Sequence, residues 1–545
     1  MTDVAQTAVP VPQTAAAVTP SIPWLGIAAV LFGAIATTLT TRLTSSGLAD
    51  VRGAIGAGFD EGAWITTSFG VAQMLIGLPT VWLGRLFGPR SVLLVGCILY
   101  GVAELFIPLA PDLRSMLVLQ FVAGIGSGTF IPLTVVFVLV NLPPKLKAYG
   151  IAAYAMNIVL GLNVASALEG WYSENASWRW IFWQNALMAG PLFVLFWLGM
   201  PRTRMERSFL STIRFESMVF GSLGLGLVYA GLDQGDRLDW GASNLITGLF
   251  LSGAALFGLF LFLETLGKKP SIAFGYFAKR NIALLTLMIV VIRILVGGSN
   301  SIVPNFLIQV RGLRPLEAGQ ALLWIAFPQL LFAPVTAWLL GRLDARILVG
   351  AGMLMAAAAC LWASHLTPTW AEPNFAGPLL LQALGQSMAL IALIYFFSSH
   401  GTPEMALTFG ALAQFCRLFG GEIATVSLTI LTRTAEQVHS NTLGAHVGAA
   451  DPATLERLRA YAAGLGAASQ GAGLADDRAL GLLTAAVRTQ AYSLAYGDAF
   501  RFAAAVAVAG AFIVLILRPL QAPPLPPGPQ GCDTSLRRRA SDRLG

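Results

Sequence analysis

Residues 24–50 read WLGIAAVLFGAIATTLTTRLTSSGLAD, an apolar run from Trp24 followed by a threonine-rich stretch that carries one arginine, Arg42. The run is long enough to cross about 30 Å of hydrocarbon at 1.5 Å per residue, and if it does, Arg42 is a charge where charge is costly. Composition supports the membrane. Of 545 residues, 56% are hydrophobic and 11% charged, whereas soluble domains carry about 25% charged residues. Working outward, apolar runs of about 17–25 residues recur roughly fourteen times, at 24–48, 62–84, 91–110, 114–139, 148–170, 178–199, 213–232, 243–265, 282–307, 317–340, 346–366, 375–399, 406–432 and 499–519. Lipid offers backbone polar groups no partner, so every span is expected to be helical and the chain an all-α polytopic membrane protein.

Lysines and arginines sort by loop. Arg85/Arg90, Lys145/Lys147, Arg202/Arg204/Arg207, Lys268/Lys269/Lys279/Arg280 and Arg342/Arg346 fall in alternate loops, and Arg537, Arg538 and Arg539 lie in the C-terminal tail. That side is expected to be cytoplasmic, with both termini on it. The opposite short loops hold acids: Asp60 and Glu61, Asp112, Glu174, then Asp233, Asp236 and Asp239. The net charge of +7 therefore reflects topology, and no nucleic-acid partner is expected.

Residues 1–23 lack the basic start and cleavage site of a signal peptide and read as a cytoplasmic tail. Residues 520–545 form a Pro-rich, then basic tail that can touch anionic headgroups of the bilayer. Cys97, Cys360, Cys416 and Cys532 are scattered, with no CxxC pair and no metal spacing. One connection is long. Residues 433–497, expected on the non-cytoplasmic side, are rich in Ala and Gly, and ERLRAY and AAVRTQAY within them look like amphipathic helical turns. WLGRLFGPR at 82–90 and WLLGRLDAR at 338–346 echo one another. The echo fits two six-helix halves, 24–200 and 282–519, with an extra helix pair at 213–265 inserted between them, and paired halves are a transporter's architecture.

Several stretches carry a family resemblance: FDEGAWITTSFGVAQML at 59–75, GIGSGTFIPL at 124–133, ASWRWIFWQN at 176–185, PSIAFGYFAKRNIA at 270–283 and VPNFLIQVRGLRPLEAGQALL at 303–323. QFCRLFGGEIATVSL at 414–428, RTAEQVH at 433–439 and YGDAFRFAAAVAV at 496–508 extend it. The chain resembles the fourteen-helix drug:proton antiporters of the major facilitator superfamily, of EmrB/QacA type. The resemblance implies a major facilitator fold and proton-driven export of a small amphipathic substrate. It also implies a periplasmic membrane-fusion adaptor and outer-membrane channel docking through the 433–497 loop, as in relatives from Gram-negative cells.

Departures from the family pattern are informative. Thr40 stands where the family has an acid in span 1, and Gln120 where it has an arginine in span 4. The span 5 motif, commonly GxxxGPxxGG, reads GLNVASALEG, which keeps Gly161 and Gly170 but places Glu169 at a glycine position. The cytoplasmic gate motif reads VWLGRLFGPR, keeping Leu83, Gly88 and Arg90 but with Arg85 at the usual aspartate.

Few charges fall inside spans: Arg42, Glu104, Glu169, Arg293, Arg417 and Glu422. Each costs on the order of 2.5–3.5 kcal/mol at the bilayer centre without compensation, so each is expected to face the bundle interior with a partner. Glu169, Glu422, Arg42, Arg417 and Arg293 are the proton-coupling candidates. Arg42 is expected to pair with Glu169, either as a titrating site or as a fixed structural pair. Glu422 lies five residues after Arg417, about 140° around the helix, so it needs a partner on another helix, with Arg293 a candidate. Glu104 reads as structural. Tyr154, Asn157, Trp324 and Gln329 are candidates for the substrate cavity, against the plainer reading as packing and interhelical hydrogen bonds.

An enzyme finds no support, since there is no HExxH, GxSxG or P-loop and no Cys/His metal spacing, so no cofactor is expected. An exporter of one endogenous metabolite or siderophore, and a transporter-derived receptor without transport, stay open beside the multidrug exporter.

Overall fold

The computed structural model describes residues 23–203, 205, 215–266, 280–399, 406–448, 451–466 and 472–518. Both terminal tails, Arg204, Arg207, Lys268, Lys269, Lys279, Cys532 and most of PSIAFGYFAKRNIA lie outside the described residues.

Fourteen of the described helices are long and apolar enough to cross a membrane. They are α1 (Trp24–Ser46), α2 (Phe59–Phe87), α3 (Pro89–Leu109), α4 (Leu113–Asn141), α5 (Pro144–Asn175), α6 (Trp180–Gly199), α7 (Phe215–Gly235), α8 (Asn244–Leu266), α9 (Arg280–Gln309), α10 (Pro315–Leu340), α11 (Ala345–Ala363) and α12 (Glu372–Ser399). The last two are α13 (Ala406–Ala445) and α14 (Ala472–Ile516).

Local chemistry sets the breaks. Gly88, at φ +85°, ends α2, and Pro89 starts α3, where its missing N–H costs nothing. Asp112 caps α4 by accepting from the Ser115 N–H at 3.3 Å. Asp344 caps α11 through the Arg346 N–H at 2.9 Å. The side chain of Arg346 bonds the same carboxylate and, as the larger cause, holds it below the usual aspartate range.

The main departure from the expected spans is at α13 and α14. With 40 and 45 residues they are about 60 and 68 Å long, roughly twice the hydrocarbon thickness. Residues 433–497, expected as a loop with helical turns, are instead mostly continuations of these two helices with a third, Pro452–Gly466, between them. Hydropathy falls at Arg433 because the helix leaves the lipid, while residues such as those of RTAEQVH still favour a helix. His439 Nε2 meets Asp498 Oδ2 at 2.7 Å and Arg501 Nη1 reaches Asp498 Oδ1 at 2.8 Å, tying the hairpin at its base.

Helices α1 to α6 pack on one another through small residues. A Cβ on Gly124 would stand 2.5 Å from the Phe69 carbonyl of α2, and one on Gly128 would stand 3.0 Å from Gln73 Cα. Helices α9 to α14 pack as a second group around α11, α12 and α14. The α7–α8 pair sits against α2 of the first group and α13 of the second. Its anchor is a cluster of Met74, Leu225, Tyr229, Leu418 and Phe419. The outward side of α8 exposes Leu251, Leu259 and Phe262, as suits a lipid-facing helix.

The two groups meet backbone to backbone at two places. In one, α5 lies on the start of α10, where a Cβ on Gly319 would stand 2.6 Å from the Ala167 N and one on Gly170 would stand 2.4 Å from the Leu316 N. In the other, α13 lies on α4, where a Cβ on Gly410 would stand 2.8 Å from the Pro132 carbonyl oxygen. Between these contacts lies a cavity.

Candidate functional site: a charged cavity between the helix groups

The cavity, with about 220 Å³ of open space, is lined from both groups and from α7. That is room for the polar head of an amphipathic molecule more than for a whole drug-sized ligand. Its charged lining is Arg42, Asp233, Arg293, Arg417 and Glu422.

Arg42 reaches across from α1 to α9. Its Nη2 donates to the Asn300 carbonyl at 2.7 Å. That acceptor is available because the residue four further on is Pro304, which has no N–H to give it. Glu169 is 6% exposed, lies behind α1 against Gly47 and interacts electrostatically with Arg42 and Asp50. Yet the two form no ion pair among the described residues, so the expected Arg42–Glu169 pair is not made directly. A backbone carbonyl takes the place of the carboxylate, and Glu169 does not line the cavity.

Arg417, 7% exposed, donates from Nη2 to Gln73 Oε1 of α2 at 2.8 Å and from Nε to Gln414 Oε1 at 3.2 Å. Gln73 in turn donates to Ser127 Oγ at 3.0 Å. Arg293 faces Tyr154 and Cys416, and its buried Nε makes no hydrogen bond.

The expected Arg293–Glu422 pairing is also corrected. Glu422 turns to α7, where it accepts from the Tyr229 hydroxyl at 3.3 Å and lies beside Asp233, with which it interacts electrostatically. Two neighbouring carboxyl groups repel when both are ionised, which makes such a pair a place where one proton can be shared. Thr67 Oγ1 donates to Asp233 as well, as does Gln234 Nε2 at 3.2 Å. Asp233, read from sequence as an outer-loop acid, is thus a cavity residue. It sits one turn after Tyr229 on α7, and that i,i+4 spacing was the signal available.

The substrate-cavity candidates lie elsewhere. Tyr154 is 5% exposed in the core, and Asn157 donates to the Leu31 carbonyl at 3.1 Å. Gln329 donates to Gln386 at 3.3 Å, and Trp324, 41% exposed, donates to Glu372 at 3.0 Å. None of the four is among the residues that line the cavity, although Tyr154 of α5 faces Arg293 and Arg417 across the seam. Glu104 is buried and accepts from Asn185 Nδ2 at 3.2 Å, inside the first group. Where the family pattern has an acid and an arginine, Thr40 bonds the Tyr100 hydroxyl at 2.6 Å and the Gln120 amide is buried without a described partner.

In the gate-like motif, Leu83 packs into the first group, Arg85 is exposed, and Arg90 lies over the Trp197 ring at 4.7 Å. A Cβ on Gly88 would collide with Thr203. In the echoed segment of the second half Arg342 lies over Trp338 at 4.0 Å. Of the span 5 glycines, Gly161 sits against Thr38 of α1 and Gly170 against α10.

The sequence profile described as Major Facilitator Superfamily matches residues 30–425. The chain belongs to this superfamily. Among curated relatives it is similar to the multidrug export protein EmrB of Haemophilus influenzae, 26% identical over 76% of this chain and 81% of that protein. It is also similar to EmrB of Escherichia coli K12, 24% identical over 88% and 91%. The fatty acid resistance protein FarB of Neisseria gonorrhoeae is 23% identical over 88% and 92%. Among solved structures, the human organic anion transporter MFSD10 superposes with TM-score 0.56 at 14% identity, covering 90% of this chain and 99% of that one. The proton:xylose symporter XylE superposes with TM-score 0.54 at 12% identity, covering 92% and 96%. These superpositions establish the major facilitator fold.

Proposed function

We propose that the protein is a secondary transporter that exports small amphipathic compounds in exchange for protons. It does so by alternating opening of the cavity as the two helix groups rock about it. The observation that carries this reading is the Asp233–Glu422 carboxyl pair in a cavity between two groups that meet through close backbone contacts. A shared proton in a partly dry site binds or leaves according to which side supplies water. The names of the EmrB relatives support drug export as the direction. We place the protein in a bacterial inner membrane with both termini cytoplasmic. The α13–α14 hairpin, which outruns the bilayer, is where a periplasmic adaptor leading to an outer-membrane channel would dock.

The test is transport of a fluorescent amphipathic probe into inverted vesicles with an acid interior. The wild type is expected to accumulate the probe only while the gradient lasts. Glu422→Gln and Asp233→Asn are each expected to fall to the rate seen without a gradient. Persistence of gradient-driven accumulation in both variants would remove the pair from the coupling step.

A further inference from the structure

The cavity holds more positive charge than its carboxyl groups can balance. Arg42, Arg293 and Arg417 line it from three helices, and among the described residues no carboxylate lies within ion-pair distance of any of them. The hydrogen bonds they make go to neutral oxygens, those of Asn300, Gln73 and Gln414. The Nε of Arg42 and of Arg293 are buried and donate to nothing. Against three guanidiniums the cavity lining sets two neighbouring carboxyls, Asp233 and Glu422, which carry one net negative charge when they share a proton, and Glu169 acts on Arg42 only from behind α1, without pairing with it.

Buried arginines are normally compensated by a carboxylate, and a guanidinium offers a fork of donors shaped for a carboxylate, sulfonate or phosphate group. Arg293, Gly297, Asn300 and Ser301 share the cavity face of α9, so Arg293 and the Arg42 contact at Asn300 are separated by about 10 Å along the helix. Phe69, Ile158, Leu162 and Val296 supply apolar wall between and beside them.

We propose that the substrate is an amphipathic organic anion whose acidic group is held by Arg42, Arg293 and Arg417. This rests on the transport reading above and names its substrate class. The cation site that the Asp233–Glu422 pair offers is, on this view, reserved for the proton. Exchange of an anion outward for a proton inward moves two charges the same way, so transport is driven by membrane potential as well as by the pH gradient.

The test uses the purified full chain with two probes, 11-(dansylamino)undecanoate as anion and rhodamine 6G as cation, first in equilibrium binding and then in proteoliposomes. The anion is expected to bind at least about tenfold more tightly than the cation. Arg42→Gln and Arg293→Gln should each weaken the anion about tenfold, while Arg42→Lys and Arg293→Lys recover part of the loss. Arg457→Gln, an exposed residue outside the cavity, is the control. A size-exclusion profile and unfolding temperature matching the wild type establish that each variant is folded.

The proposal is overturned if the cation binds and the anion does not. It is also overturned if folded glutamine variants keep wild-type anion affinity, or if chloride displaces the anion completely at physiological concentration. In proteoliposomes, anion uptake that responds to an imposed potential supports it. A lack of response to the pH gradient alongside intact anion binding would defeat the proton-exchange reading instead, so the two failures are distinguishable.

Discussion

A leucine at Gly319 is expected to cut transport about a hundredfold while leaving the protein folded. A Cβ there would stand 2.6 Å from the backbone of Ser166 and Ala167, and backbone cannot swing aside as a side-chain tip can. The extra volume therefore holds α10 away from α5, and overpacking of this kind costs about 1–3 kcal/mol at a contact that must close in every cycle. Transport stops because one of the two alternating states is lost.

The measurement is probe accumulation in inverted vesicles, paired with labelling of Ser301→Cys in right-side-out vesicles by a membrane-impermeant thiol reagent. Ser301 lies between the central cavity and the neighbouring one formed by Gln309, Arg433 and Tyr496. Labelling should rise in Gly319→Leu. Gly190→Leu on α6, where an added Cβ meets nothing within 4 Å, should transport as the wild type does. Full transport by Gly319→Leu would mean that the α5–α10 contact is not a moving seal.

The second large effect is expected at Gln73→Leu. Gln73 is the acceptor that ties Arg417 of α13 to α2, at 2.8 Å, and it is fully buried. Removing it leaves a buried guanidinium with Gln414 alone, and losing a hydrogen bond to a buried charged group costs about 1.5–3 kcal/mol. The variant should unfold in detergent at a clearly lower temperature. Gln73→Glu should recover the loss by giving Arg417 a carboxylate, and by neutralising that arginine it should also weaken binding of the anionic probe. Unchanged stability in Gln73→Leu would show that Arg417 is solvated from the cavity and does not depend on α2.

Hydropathy alone located all fourteen spans, because crossing lipid demands an uninterrupted apolar helix whatever its neighbours are. Thus the run beginning at Trp24 gave α1 nearly to the residue. The long helices α13 and α14 were legible only as far as the lipid extends. Beyond Arg433 the helix continues in residues whose apolar content no longer marks it.

The candidate site was legible by residue type and opaque by pairing. Arg42, Arg293, Arg417 and Glu422 stood out because charges inside spans are rare, and all four line one cavity. Their partners did not follow from sequence. Arg42 found the carbonyl that Pro304 leaves open, Arg417 found Gln73 across the seam, and Glu422 found Asp233 of the inserted α7. Sequence by itself determined the membrane class, the helix count and which residues had to be turned inward, since those depend on the cost of burying each residue in lipid. The tertiary structure alone decided which inward charges face one another and that, among the described residues, three arginines make no ion pair with a carboxylate, since that depends on how helices far apart in the chain are rotated against each other.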